Sequence, residues 1–278
     1  MNKSILITGC SSGIGLDAAR KLKSIGWRVF ATCRKQSDCT RLSNFGLESF
    51  VLDYRNEKTI SKAVSKISRL TGNKLDALFN NGAYALPGAV EDLPRGALQD
   101  IFEVNFFGYV DLINKSLPLL RNSPDGRVIN CSSVLGFTAL PYRGAYSATK
   151  FALEAITDTL RREETSASVK FVLIEPGPIR TSIRENSIEH FEKWIDWRNS
   201  YLSNTYVERI IPRIYASSEP AVQKQNFFEL EPQHVTKKLI LALNSRNPKK
   251  RYFVTYPTHF ANIITRFLPT ALQDFLFR

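Results

Sequence analysis

Tyr146 and Lys150 are the residues of this chain whose types and spacing best suggest chemistry. They lie four positions apart in Tyr-Ser-Ala-Thr-Lys, and Ser133 precedes the tyrosine by 13 positions. A spacing of four places two side chains on one face of a helix, one turn apart. A lysine charge about 4 Å from a phenol stabilises the ionised form by roughly 4 kcal/mol, which would lower its pKa from about 10 towards neutrality. The three residues therefore suggest an acid/base pair with a serine that polarises a substrate oxygen.

The surrounding sequence predicts the elements that position these side chains. Apolar residues at helical spacing predict a helix from Tyr146 to Arg162. Val128 to Cys131 is typical of a buried strand, and Ser133 lies just past its carboxyl end, where open α/β sheets bind ligands. Without such neighbours, Tyr-x-x-x-Lys would more often be a packed tyrosine beside a solvated lysine.

Glycines near the amino terminus suggest a phosphate-binding turn. Ser4 to Thr8 is an apolar run, and Gly9, Gly13 and Gly15 separate it from a predicted helix. Glycines let the backbone approach a pyrophosphate, which binds at the helix amino terminus. A plain strand-to-helix turn, the alternative, rarely needs three glycines. The nucleotide contacts expected in this turn are Gly9, Ser11, Ser12, Gly13, Ile14 and Gly15.

The end of the second predicted strand bears on the choice of nucleotide. The strand Arg28 to Thr32 is followed by Cys33, Arg34 and Lys35. NAD-binding proteins place a carboxylate near this point to bind the ribose 2′-hydroxyl, whereas an arginine suits the 2′-phosphate of NADP. The chain has Cys33 in place of the acid, so the pattern favours NADP(H) over NAD(H). The alternative is that Arg34 and Lys35 are solvated loop charges.

These residues resemble the short-chain dehydrogenase/reductase family over Ile5 to about Thr181. Within it they are most similar to the NADP-linked branch of 17β-hydroxysteroid and retinol dehydrogenases and their bacterial relatives. The resemblance implies a single-domain Rossmann-type fold, with a doubly wound parallel sheet of about seven strands. It also implies an enzyme that oxidises or reduces a CH–OH group with NAD(P). The implied catalytic tetrad is Asn105, Ser133, Tyr146 and Lys150.

The resemblance adds cofactor contacts further along the chain. Asp53 would contact the adenine, and Tyr146 and Lys150 would also touch the nucleotide. Asn81 and Gly82 match a fourth-strand motif, although the chain has Asn-Asn-Gly-Ala where the family has Asn-Asn-Ala-Gly. Both residues are small, so the backbone should still approach the cofactor closely. The resemblance does not define the backbone angles at these two positions. The loop expected to seat the nicotinamide contributes Pro176, Gly177, Ile179 and Thr181.

Composition and element order predict one α/β domain. Strands and helices alternate from Ser4 to Ile174, which implies a parallel sheet, and no linker divides the 278 residues. The four cysteines lack paired spacing and the three histidines are scattered, so no metal site is expected. With no signal peptide visible, we expect a reduced cytoplasmic setting. No apolar run reaches the length of a transmembrane helix.

Residues 182–228 depart from this alternation, and the resemblance assigns them to a substrate lid. Because pockets for apolar ligands are rich in aromatic side chains, we expect some of these residues to line a pocket with Leu135, Leu140, Tyr142, Ser133 and Tyr146. For any single aromatic residue, packing of a helical flap on the core is the better expectation. The aromatic residues concerned are Phe191, Trp194, Trp197, Tyr201, Tyr206, Tyr215, Phe227 and Phe228.

The carboxyl-terminal tail, residues 255–278, is amphipathic and follows a basic segment. The net charge of the chain is +12, and residues 237–278 contain eight basic residues and one acidic residue, Asp274. Such a tail could lie on a membrane surface. We favour packing against its own domain or a sister subunit, because the sheet needs both faces covered. Homodimers and homotetramers are common in the family that the chain resembles.

Three classes of function fit parts of the sequence. The leading hypothesis is an NADP(H)-dependent oxidoreductase for a lipophilic alcohol and its aldehyde or ketone. The alternative is a catalytically silent nucleotide-sensing or scaffolding protein on the same fold, but such a protein need not keep Tyr146 and Lys150 together. A nucleic-acid binder is not expected, because the charge is not accompanied by a recognised motif.

Overall fold

The computed structural model describes residues 2–163, 168–215 and 228–277, and shows one sheet of seven parallel strands. The strand order is β3-β2-β1-β4-β5-β6-β7, which reverses direction between β1 and β4. This arrangement confirms the predicted doubly wound α/β fold. The strands are β1 (Ser4–Ile7), β2 (Arg28–Cys33), β3 (Glu48–Val51), β4 (Ala77–Asn80), β5 (Gly126–Cys131), β6 (Val169–Glu175) and β7 (Arg251–Phe253).

Helices connect the strands and cover both faces of the sheet. Two of them are interrupted by one-turn π-helical segments, Glu103–Phe107 before α5 and Tyr206–Ile210 before α9. The helices are α1 (Gly13–Ser24), α2 (Gln36–Asn44), α3 (Glu57–Thr71), α4 (Arg95–Phe102), α5 (Gly108–Arg121), α6 (Gly144–Arg162), α7 (Ile183–Trp194), α8 (Ser203–Thr205), α9 (Ile211–Tyr215), α10 (Gln233–Asn244), α11 (Tyr256–Phe267) and α12 (Thr270–Leu276).

Two apolar cores lie on opposite faces of the sheet. One contains Leu6, Leu78 and Val128 from the strands with residues of α3 to α6. The other contains Ile5 and Ile7 with residues of α1, α2 and α10. Alternate side chains of β1 thus enter different cores, so the whole strand is apolar, as is typical of a parallel sheet covered on both sides.

A chain of buried polar side chains crosses the sheet beneath the site. The hydroxyls of Thr8 and Tyr54 lie 2.8 Å apart, and Tyr54 donates to Asn80 Oδ1 at 2.8 Å. Asn80 Nδ2 donates to Asn130 Oδ1 at 3.0 Å, and Asn130 Nδ2 donates to Thr157 Oγ1 at 2.9 Å. All five residues are buried, so these bonds satisfy polar groups that would otherwise destabilise the core. They join β1, β4 and β5 to helix α6.

Several apolar residues of the lid are buried in the core, whereas those of the tail are divided between a buried and an exposed face. In the lid, Phe191 and Tyr206 are fully buried in the core. In the tail, Thr258, Ala261 and Ile264 of α11 are buried against the domain, as we favoured. The opposite stripe of α11 stays exposed: Phe260 is 64% and Phe267 78% accessible. Across the described ranges, no helix combines the length and hydrophobicity needed to cross a bilayer.

Candidate active site

The glycine turn between β1 and α1 forms a cradle that side chains would fill. Gly9 and Gly13 have φ values of +68° and +53°, which disfavour any other residue. A Cβ atom on Gly9 would lie 2.6 Å from Gly82 Cα, and one on Gly15 would collide with the carbonyl of Gly9. The turn and the amino terminus of α1 therefore fit the diphosphate of a dinucleotide, as the sequence predicts.

Thr8 fixes the fourth-strand motif against this cradle. Its hydroxyl accepts hydrogen bonds from the backbone amides of Asn81 at 2.8 Å and Gly82 at 3.1 Å. Asn81 Nδ2 donates to the carbonyl of Thr8 at 3.0 Å. Neither Gly82 nor Ala83 has a positive φ, so the inverted order of these two residues leaves an ordinary backbone and a close approach to Gly9.

Ser133, Tyr146 and Lys150 line one cavity of about 370 Å³ at the carboxyl ends of β4, β5 and β6. Ser133 Oγ accepts from the amide of Leu135 at 3.1 Å, which fixes its position. Lys150 Nζ donates to the carbonyl of Cys131 at 2.8 Å and lies 5.6 Å from the ring centre of Tyr146. The turn from β5 and helix α6 thus bring the three predicted residues together beside the cradle.

Burial controls the protonation of both α6 residues. It raises the pKa of Tyr146 well above its ordinary value, while Ser133 and Arg143 act in the opposite direction. It lowers the pKa of Lys150 to about 8, with Cys131 and Glu154 opposing the shift. The predicted lowering of the pKa of Tyr146 by Lys150 is therefore absent, because desolvation of the phenolate outweighs the hydrogen bond from Ser133 and the charge of Arg143. The cation with an opposing effect is Arg143, which the sequence analysis did not consider.

Asn105 lies behind the wall of this cavity rather than on its surface. It is fully buried in the π-helical turn before α5. Its Oδ1 accepts from the amide of Tyr84 at 3.1 Å, and its Nδ2 donates to the carbonyl of Tyr84 at 2.9 Å. These bonds occupy the side chain, so Asn105 can act on the site through its backbone or by holding the loop after β4.

A buried carboxyl pair lies behind Lys150 and was not expected from the sequence. Glu154 is one turn beyond Lys150, and Glu175 is the last residue of β6. Arg251 lies 2.9 Å from Glu154 and 3.0 Å from Glu175. Burial raises the pKa of both glutamates, and Glu154 raises that of Glu175 further. Among the described residues, Oε1 of Glu154 and Oε2 of Glu175 are buried without a hydrogen-bond partner, so the retention of a proton by one of the two carboxyl groups is favoured.

A second cavity of about 430 Å³ continues the groove along the cradle towards β2 and β3. Arg34 and Asp53 line it with Gly9, Ser11 and Ser12, so the predicted nucleotide contacts meet there. Asp38 lines it too, and Arg41 binds Asp38 at 2.9 Å and the carbonyl of Ser11 at 2.6 Å. Cys33 was expected to occupy the position of the ribose-binding acid of NAD-binding proteins. Its side chain instead lies buried in the core behind the groove.

The outer wall of this second cavity was also missed by the sequence analysis. Tyr84 stacks on His190 of α7, with ring centres 3.7 Å apart. Tyr84 donates to Asp100 at 2.5 Å, and Arg55 binds the same carboxylate at 2.9 and 3.0 Å. The one signal in the sequence was that His190 falls within the predicted lid, which would have suggested that the lid borders the nucleotide groove.

The loop after β6 closes the groove over the cradle. Pro176, Gly177, Ile179 and Thr181 line the first cavity, together with Ile14 and Asn81. Gly177 leaves no room for a side chain, because a Cβ atom there would collide with Thr255. A Cβ atom on Gly13 would lie 3.0 Å from Thr181, so this loop and the glycine turn are in close contact. The predicted nicotinamide loop thus adjoins the predicted phosphate cradle.

The substrate end of the first cavity differs in part from the expectation. Leu135 and Leu140 line it, as predicted, and Ala85 and Ile183 join them. Tyr142 does not line this cavity: it packs partly buried against the core with a φ of +63°, and its carbonyl accepts from the amide of Gly88. Within the described lid, the expected aromatic residues do not line this cavity: Phe191, Trp194, Trp197, Tyr206 and Tyr215 pack towards the core, as expected for single residues, and Tyr201 and Phe228 are exposed. Phe227 lies outside the described residues.

No group of histidine, cysteine or acidic residues suited to a metal ion occurs among the residues described. The four cysteines are unpaired and buried, so the interpretation of Cys131 as a core residue is confirmed.

Comparison with known proteins identifies the family. Residues 3–191 match the family model described as short chain dehydrogenase. An uncharacterized oxidoreductase of Escherichia coli (strain K12), YbbO, is 37% identical, with 99% of this chain and 93% of the relative covered. The NADPH-dependent 3-dehydrocapnine reductase of Ornithobacterium rhinotracheale is 34% identical, with 98% and 95% covered. Human retinol dehydrogenase 16 is 31% identical, with 98% and 87% covered.

Solved structures agree on the fold. A short-chain dehydrogenase/reductase from Burkholderia phymatum, solved in complex with NAD, superposes with a TM-score of 0.77 at 23% identity, with 98% of this chain and 95% of that chain covered. The family match covers the glycine turn, β4, β5 and α6, which form the site described above. The chain therefore belongs to the short-chain dehydrogenase/reductase family and is an oxidoreductase.

Proposed function

We propose that the protein is an NADP(H)-dependent oxidoreductase that interconverts a lipophilic alcohol and its aldehyde or ketone, with Tyr146 as the acid/base. The observation that best supports this is the convergence of Ser133, Tyr146 and Lys150 on one cavity beside the glycine turn. Reaction at a carbonyl needs a proton donor, a hydrogen-bond donor for the oxygen and a redox cofactor in one place.

The residues divide this work between them. Tyr146 donates its proton to the carbonyl oxygen during reduction and takes it back during oxidation. Ser133 donates a hydrogen bond to the same oxygen, since its hydroxyl is held at the mouth of the turn by Leu135. Lys150 would hold the ribose hydroxyls of the cofactor, and the Cys131 carbonyl orients its ammonium. When bound, the nicotinamide supplies or accepts the hydride.

The preference for NADP(H) is supported by charge at the end of β2. Arg34 and Lys35 line the groove and are exposed, so they are available to a 2′-phosphate. Asp38 lies in the same wall, but its carboxylate is paired with Arg41, which offsets its repulsion of a phosphate. The relative from Ornithobacterium rhinotracheale is named as NADPH-dependent, which agrees with the proposal.

The substrate class is supported by the apolar surface next to Tyr146. Leu135, Leu140 and Ile183 contribute to it, and Leu140 is 40% accessible. A methylene group that enters such a surface contributes up to about 0.8 kcal/mol, which corresponds to roughly a fourfold gain in kcat/KM.

NADPH consumption across straight-chain aldehydes and a matched set of ketones tests the proposal. We expect kcat/KM to rise with chain length, and NADPH to be used well ahead of NADH. A flat or falling series would overturn the lipophilic substrate. Failure to oxidise either cofactor with any carbonyl, while NADPH still binds, would instead favour the silent nucleotide-sensing alternative.

A further inference from the structure

Among the residues that the structure describes, one cation at the substrate end of the cavity, Arg143, has no anionic partner. Arg143 precedes α6 and lies three residues before Tyr146, where its side chain lines the cavity with Leu140 and Ile183. Within residues 2–163, 168–215 and 228–277, no carboxylate lies within ion-pair distance of its guanidinium. This contrasts with Arg55 and Arg251, which are similarly enclosed and are held by carboxylates.

Two further arginines approach from the lid. Arg184, in the first turn of α7, lines the same cavity. It lies 3.4 Å from Glu229, but its side chain is 44% exposed. Arg213 of α9 is exposed and close enough to act electrostatically on Arg143. Burial lowers the pKa of Arg143, and Arg184 and Arg213 lower it further, since three like charges repel.

This arrangement is unfavourable for the protein alone. A partly desolvated cation among like charges is destabilising unless an anion compensates it. Guanidinium groups bind carboxylates, sulfonates and phosphates through paired, charge-assisted hydrogen bonds. The apolar side chains of Leu135, Leu140 and Ile183 line the same cavity as Arg143, so an anionic group would enter attached to an apolar body.

We propose that Arg143 and Arg184 form an anion-binding subsite for the substrate, which is a lipophilic carbonyl compound or alcohol bearing a carboxylate, sulfonate or phosphate group. This inference rests on the proposed function and narrows its substrate class. The anionic group pairs with the guanidiniums, the apolar part lies on Leu135, Leu140 and Ile183, and the reacting oxygen meets Ser133 and Tyr146. Arg143 acts as a specificity-determining residue.

A different role for Arg143 is to act on Tyr146 alone, because its charge also opposes the raised pKa of the phenol. The two roles predict different kinetics. A role in acid/base chemistry affects every substrate and moves the pH profile. A role in binding affects only substrates that carry an anion, and mainly through KM.

A matched pair of substrates separates these roles: a long-chain γ-oxo carboxylate and its methyl ester, assayed with NADPH. We expect native protein to prefer the carboxylate by about tenfold or more, as for a charged hydrogen bond. Arg143→Gln should abolish this preference by raising KM for the carboxylate, whereas any change of kcat through Tyr146 should be the same for the carboxylate and the ester. Arg143→Lys should restore part of it. The control is Arg246→Gln, an exposed arginine before β7, which should behave as native protein.

Calorimetric titration with decyl sulfonate, which cannot be reduced, gives a readout independent of turnover. We expect binding to native protein that weakens with salt and is lost in Arg143→Gln, provided that thermal melting shows the variant to be folded. Equal affinity in both proteins, or none in native protein, would overturn the subsite. An equal loss of kcat for both substrates in Arg143→Gln, with the preference for the carboxylate retained, would assign the arginine to Tyr146 instead. If neither substrate reacts but decyl sulfonate binds native protein and not Arg143→Gln, the proposed function is wrong and the anion-binding subsite is supported.

Discussion

Tyr146 lies where burial and charge act in opposite directions on one proton. The raised pKa keeps the phenol protonated in the neutral range, which suits its role as an acid in carbonyl reduction. Oxidation needs the phenolate, so it requires additional positive charge close to the ring. Lys150, with its pKa lowered to about 8, supplies less of this charge as the pH rises above that value.

Replacement of Tyr146 by phenylalanine tests this residue directly. The ring and its packing remain, but the transferable proton is lost, so turnover should fall by about two to four orders of magnitude. NADPH affinity, measured by fluorescence titration, should change little. A variant that turns over at nearly the native rate would show that the proton comes from another group.

Arg34 is the residue at which nucleotide choice should be altered. Cys33 is unsuited, because a carboxylate at that position would be buried in the core. Arg34→Asp places the acid on the exposed wall of the groove, where it repels a 2′-phosphate and accepts from a 2′-hydroxyl.

We expect native protein to bind NADPH more tightly than NADH, and Arg34→Asp to reverse the order in paired titrations. Lys21→Asp, an exposed change on α1, controls for net charge. Equal affinities of native protein for the two nucleotides would contradict the assignment of Arg34.

The carboxyl pair connects three elements through Arg251: the middle of α6, the carboxyl end of β6 and the start of β7. The groups that face it are Arg251 and Asp158, with Arg266 from α11 and Lys150 on α6. The pKa of Glu175 is raised in the folded protein, so the stability linked to its proton is complete below the ordinary glutamate pKa of about 4.3. This stability is lost as the pH rises towards the raised pKa, because the unfolded chain has by then released the proton that the folded protein still holds. The free energy of unfolding falls by up to about 1.4 kcal/mol for each pH unit in this interval.

Glu175→Gln should flatten this dependence, because an amide supplies hydrogens without titrating. We expect the Tm of native protein to fall between about pH 4.3 and the raised pKa of Glu175 at about 9, and that of the variant to fall less. Glu208→Gln, an exposed glutamate, should follow the native curve. Parallel curves for native protein and Glu175→Gln would mean that the pair does not hold a proton.

The lid and the site show what a sequence pattern can predict about elements. The glycine cradle and the set of Ser133, Tyr146 and Lys150 depend on short spacings that the sequence itself displays. Asn105 was implied only by the family resemblance, and the family match covers all of these residues. The aromatic residues of the described part of the lid pack on the core or are exposed, because composition does not say which face of a helix meets the core. Glu154, Glu175 and Arg251 meet only through packing of distant segments, and no local spacing indicates that contact.

At the scale of the whole molecule, the tail leaves an apolar stripe in need of a partner. The exposed residues are Tyr256, Phe260, Ile263 and Phe267 on α11, with Leu272, Phe275 and Leu276 on α12. Gln273 Nε2 donates to the carbonyls of Thr265 and Leu268, which holds the two helices together. Since the inner stripe already covers the domain, we expect the outer stripe to meet a second copy of the chain.

Phe260→Ser combined with Phe267→Ser should reduce the particle size in light scattering with little change in Tm. Ile264→Ala, on the inner stripe, should instead lower stability by about 2 to 4 kcal/mol, as expected for a buried cavity. Sedimentation of native protein with anionic liposomes, lost in the double variant while particle size stays constant, would assign the stripe to a membrane surface.

The chain of buried hydrogen bonds from Thr8 to Thr157 also determines which segments of the protein unfold together. Breaking any one hydrogen bond of this chain leaves buried donors or acceptors of the neighbouring residues without a partner. The segments that the chain joins should therefore open together. Amides of β1, β4, β5 and α6 should then exchange with deuterium at one common free energy, close to that of global unfolding. The cradle and the catalytic helix would form a single cooperative unit, so a substitution such as Asn130→Ala would loosen nucleotide and substrate binding together.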